Sequence, residues 1–115
     1  MKVNTITHGL ITPHAMICAG QGEHARLLIG VRDKCGYTVY DYHSGLEVVI
    51  GKFINRTAMA AIEIMEPYTN GAVPFPCDKL EQDDVTEAYC RAWFERARQG
   101  RAKAVKVLKF KNTQP

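Results

Sequence analysis

HARLLIGVRDKCGYTVYDYHSGLEVVI, residues 24–50, is the stretch whose reading decides the fold. Three largely apolar or β-branched runs, His24 to Val31, Tyr37 to Tyr42 and Leu46 to Ile50, are separated by two short breaks. The first break, Asp33-Lys34-Cys35-Gly36, ends on a glycine that can take the left-handed backbone of a hairpin turn. The second, His43-Ser44-Gly45, is a tight turn of the same kind. Side chains alternate along a strand, so Leu46, Val48 and Ile50 share one face. The stretch therefore predicts a three-stranded antiparallel meander.

Working outward, Lys2 to Thr7 reads as a further strand. Thr12-Pro13 followed by His14 to Ala19 and then Gly20 fits a two-turn helix, with threonine as cap, proline in the first turn and glycine past the end. After the meander, Asn55 is placed to cap a helix from Arg56 to Met65. Ala58, Ala61, Ile62 and Met65 fall on one side of it, and Pro67 ends it. Residues 67–78 form a surface loop that Val73 and Phe75 would pin.

The last third carries a helix from Asp83 to Gln99 and a lysine-studded strand from Arg101 to Lys111. Acids at Glu81, Asp83 and Asp84 begin the helix, while Arg96 and Arg98 end it, in the sense that complements the helix dipole. Val85, Ala88, Tyr89, Ala92 and Trp93 form one contiguous face, which Cys90, Phe94 and Ala97 extend. That face is wider than one packing layer requires, so this helix is expected either between two layers or against another subunit. Lysines along the final strand protect a sheet edge from mispairing.

These elements predict one α+β domain over residues 1–115, with a mainly antiparallel sheet of about five strands. Two main helices are expected on one face of the sheet, with a short helix near the N-terminus. The core is expected to draw on Leu27, Ile29, Val39, Leu46, Val48, Ile50, Ile62, Val85, Tyr89, Ala92 and Trp93.

A hydrophobic fraction of 46% and a charged fraction of 23% are those of a folded globular chain. The net charge of +3 hides an asymmetry. Residues 91–115 hold eight basic side chains against one acid, whereas residues 66–90 hold six acids against one lysine. No apolar run reaches the length of a membrane span, and no signal-peptide pattern opens the chain. Cys18, Cys35, Cys77 and Cys90 lack paired spacing and read as reduced thiols of a cytoplasmic protein.

Catalytic signatures do not appear. There is no phosphate-cradling glycine loop, no G-x-S-x-G and no H-E-x-x-H. Asp41, His43 and Ser44 are close in sequence, but working triads are assembled from separated segments. His8, His14, Cys18 and His24 fall within seventeen residues yet match no zinc spacing, so neither metal nor cofactor is expected.

The function expected is therefore that of a non-catalytic regulatory module acting through protein contacts, as a homodimer. Arg91, Trp93, Phe94 and Arg98 would form its docking surface. The alternative is nucleic-acid binding, with Arg98, Arg101, Lys103, Lys106, Lys109 and Lys111 on phosphates. A small-ligand or enzymatic pocket joining residues distant in sequence is the third reading.

Overall fold

The computed structural model describes residues 1–75 and 80–108. A hairpin of β1 (Val3–Thr5) and β2 (Gly9–Ile11) opens the chain, followed by β3 (Ala15–Ala19), β4 (Arg26–Arg32), β5 (Tyr37–Asp41) and β6 (Glu47–Gly51). Then come α1 (Ile54–Ile64), the short α2 (Glu66–Thr69), α3 (Asp84–Arg98) and β7 (Val105–Val107). The main sheet has five strands in the order β6-β5-β4-β3-β7, every neighbouring pair antiparallel. The α+β class and the five-strand antiparallel sheet are thus as expected, and the meander of residues 24–50 is its β4-β5-β6 half.

The expected N-terminal helix is instead β3. All five of its residues are buried, between β4 on one side and β7 on the other. A five-residue apolar run has no period to distinguish strand from helix, and burial on both faces decides for the strand. Pro13 lies just before it, so the ladder loses no donor: His14 N donates to Gly30 O at 2.7 Å.

The two main helices lie on opposite faces of the sheet, not on one. Alternation along β3 and β4 makes this plain. Ile17, Ala19 and Leu28 pack with Ala58, Ala61 and Met65 of α1 and its C-cap. Met16, Cys18, Leu27 and Ile29 pack with Cys90, Trp93 and Ala97 of α3. The hairpin shares the α3 side, where Val3 joins the same cluster.

Local differences have local causes. Helix α1 begins at Ile54 after Phe53, so Asn55 lies inside the helix and does not cap it. The start of α1 has no side-chain cap, and the Thr57 hydroxyl donates to Phe53 O at 2.6 Å. Pro67 falls in the first turn of α2, where a missing N–H is tolerated. Phe75 packs edge-on against Tyr68, whereas Val73 is exposed. Of the expected core, Ile50, Val85, Tyr89 and Ala92 are exposed. The final strand is described only to Leu108, so Lys109 and Lys111 lie outside the described residues.

Candidate interaction face on helix α3

Helix α3 starts where the Asp83 carboxylate accepts from Thr86 N and Thr86 Oγ, both at 2.8 Å. These bonds hold the Asp83 carboxyl below its ordinary range, because they favour the charged form. Gln82, just before the cap, ties the helix to the rest of the chain. Its Oε1 accepts from Asn4 N at 2.8 Å, while its Nε2 donates to Asn4 O and Tyr42 O at 3.1 and 3.0 Å. The Thr86 hydroxyl adds a bond to Lys2 O at 2.8 Å.

With its N-terminus anchored this way, α3 turns Thr86, Cys90, Trp93 and Ala97 onto the sheet. Their steps of four, three and four residues define a single narrow stripe. Trp93 is only 4% exposed and sits in the core, so it is not part of an accessible docking surface. Phe94 is half-buried and packs against the same cluster. What remains outward is the other half of the broad apolar face. Val85 is 78% exposed and Tyr89 46%, and Ala88 and Ala92 lie exposed between and beyond them.

Among the described basic residues of the last third, two are paired on α3 itself. Arg91 donates to Glu87 Oε1 at 2.6 Å. Arg98 makes two bonds to the Glu95 carboxylate, at 2.9 Å each, and a third to Gly22 O at 3.1 Å. The Glu95 bonds raise the Arg98 pKa further. Arg101 and Lys103 are exposed, and the Lys106 ammonium sits 5.8 Å from the Tyr89 ring centre. Two of the docking residues read from sequence, Arg91 and Arg98, therefore hold acids of their own helix.

A second polar constellation escaped the sequence reading. Arg26 donates through Nε and Nη2 to the two carboxylate oxygens of Asp41, at 3.0 and 2.7 Å. Asp41 Oδ2 also accepts from Ser44 N and Ser44 Oγ, at 2.9 and 2.7 Å. The guanidinium lies 4.1 Å from the Phe75 ring centre. Arg26 and Phe75 line a cleft of about 310 Å³ together with Glu23, His24 and Tyr68 among others. The signal was present in the register: Leu28 pairs with Asp41, which places Arg26 diagonally across from it on the same face.

The bonds of this constellation converge on Asp41. Asp41 accepts four hydrogen bonds, close to the full capacity of a carboxylate, and the Ser44 hydroxyl is committed to it. Asp41, His43 and Ser44 thus form a turn closed by Asp41, with Gly45 N donating to Asp41 O at 2.8 Å. The histidines are dispersed. His8 Nδ1 lies 2.8 Å from the Tyr40 hydroxyl, His14 packs on Tyr37, and His24 pairs with Glu23 at 3.4 Å. Cys18 donates to Gly20 O, and burial pushes its thiol pKa up to about 11. Among the described residues no three histidine, cysteine or acidic side chains converge as a metal site. No described helix is long and apolar enough to cross a membrane. No protein-family model, curated protein or solved structure matches this chain, so its own geometry has to carry the functional reading.

Proposed function

We propose that the chain is a non-catalytic, cytosolic accessory module that docks a protein partner on the outer face of α3. The observation that carries this is the exposed row Val85, Ala88, Tyr89 and Ala92 on a helix whose inner stripe is already buried. Exposed apolar residues are ordinary when scattered, and Ile6, Leu10, Phe53 and Met59 are exposed as well. Four on one helix face, two of them alanines that let a neighbouring backbone approach, form a surface suited to another helix. Arg91, exposed and paired with Glu87 on the same helix, lies one step round from Ala88. Nucleic-acid binding through Arg98, Arg101, Lys103 and Lys106 is the competing proposal, weakened by the commitment of Arg98 to Glu95.

The test is native mass spectrometry of the tagged chain purified gently from its own cells, wild type beside Val85→Asp and Tyr89→Asp. An assembly present in wild type and lost in both variants is expected. If every assembly survives both substitutions, the α3 face is not the docking surface. Assemblies dissolved by nuclease would transfer the reading to nucleic acid.

A further inference from the structure

Building on the docking reading for α3, we infer that the occupant of this face is a second copy of the same chain, its α3 packed antiparallel across a two-fold axis. Size complementarity along the helix is the first argument. Antiparallel pairing centred between Ala88 and Tyr89 sets Val85 against Ala92 of the partner subunit, and Tyr89 against Ala88 of the partner subunit. Each larger side chain then meets an alanine, twice over by symmetry, so two identical surfaces interdigitate without a clash. A parallel arrangement would bring Val85 against Val85 and Tyr89 against Tyr89, leaving the alanines facing one another.

Charge is the second argument. The exposed acids Glu81, Asp83 and Asp84 sit at one end of the row, and Arg96 and Arg101, also exposed, at the other. Antiparallel pairing brings each acidic end to the partner's basic end and opposes the two helix dipoles favourably. A foreign partner would need to supply this pattern, whereas a second copy carries it already. The contact is one helix pair, well under the usual area of a permanent interface, so the dimer forms in the micromolar range rather than the nanomolar.

Light scattering after size exclusion on the purified chain, from low to several hundred micromolar, tests this. A dimer is expected, with Val85→Asp and Tyr89→Asp each weakening it by about tenfold or more. Both side chains are exposed in the protomer, so at dilutions where wild type is monomeric the far-UV spectrum and melting curve of each variant should match it. Register is tested separately in a Cys35→Ser, Cys77→Ser background. Under mild oxidation Ala88→Cys, next to the axis, should cross-link, and Ala92→Cys should not, because the two copies of that position lie roughly 10 Å apart along the axis. Equal cross-linking at both positions would overturn the antiparallel arrangement. A wild type that stays monomeric would overturn self-pairing while leaving the docking reading to its own test. A dimer untouched by Val85→Asp and Tyr89→Asp would overturn self-pairing through α3, and would direct attention to Ile50 and Phe53 beside the β6 edge.

Discussion

Arg26 grips Asp41 with two parallel hydrogen bonds, of 3.0 and 2.7 Å, on the face of the sheet that α1 covers. Asp41 is fully buried while Arg26 still reaches solvent, so the carboxylate depends on this pair far more than the guanidinium does. Asp41→Asn is expected to lower the unfolding free energy by about 3 kcal/mol, at the low end for a broken buried pair. Ser44→Ala should cost about 1 kcal/mol, the value of one hydrogen bond. Urea midpoints of the two variants decide the matter. If their losses are equal, the guanidinium bonds add nothing to the closed turn.

Gln82 takes the place of a strand neighbour for Asn4, accepting from its N–H and donating to its carbonyl. Gln82→Ala leaves these backbone groups without partners and should destabilise the chain by about 1–3 kcal/mol. Hydrogen exchange at the Asn4 amide should accelerate well beyond the global effect. Unchanged protection there would mean that Gln82 does not hold the Asn4 edge of the hairpin.

Two thiols make the protein sensitive to alkali. Burial pushes Cys90 up to about 11, as it does Cys18, and the Tyr42 phenol moves in the same direction, by burial first and then by the Cys90 beside it. A group whose folded pKa is raised stabilises the fold below its unfolded value and loses that contribution as pH rises. Stability should therefore fall between pH 9 and about 11, and a Cys18→Ala, Cys90→Ala chain should show a shallower fall. The same burial predicts that iodoacetamide labels Cys35 in the folded protein and reaches Cys18 and Cys90 only on unfolding, as peptide mapping would reveal.

At the acid end the sign reverses. Thr86 holds the Asp83 carboxyl below its ordinary range, so the cap is at full strength above that range and is lost as pH falls through the folded value. Asp83→Ala should lower the melting temperature near neutrality and flatten its dependence on pH below about 4. Melting curves from pH 2 to 7 compare the two chains. Parallel curves would mean that the cap does not titrate with folding.

What was legible in the sequence follows a pattern. The meander announced itself through two turns ending in glycine, and α3 through acids first and arginines last, because these signals are local. Residues Ala15 to Ala19 were misread as a helix because a short apolar run carries no period, and the strand's partner, β7, lies some ninety residues away. The two-sided burial was written there all the same: Leu27-Leu28-Ile29 and Ala15–Ala19 are apolar at consecutive positions, as a strand covered on both faces must be. For α3 the breadth of the apolar face was readable, but which half turns inward depends on Gln82 and Thr86 reaching Asn4 and Lys2, contacts that no spacing reveals. Arg26 was invisible until strand register gave it Asp41.

The position of β3 between β4 and β7 also governs how the chain can be made. Its inner hydrogen bonds form with a strand that follows at once, but its outer ones wait for Val105–Val107. During synthesis at roughly 5–20 residues per second, β3 has an open edge for several seconds, with Met16 and Cys18 uncovered until Trp93 arrives. Contacts of such long sequence separation slow folding, and an unpaired apolar strand invites pairing with another nascent chain. The architecture therefore predicts that soluble yield rises with chaperone cover over the last third, and equal yields with and without it would count against it.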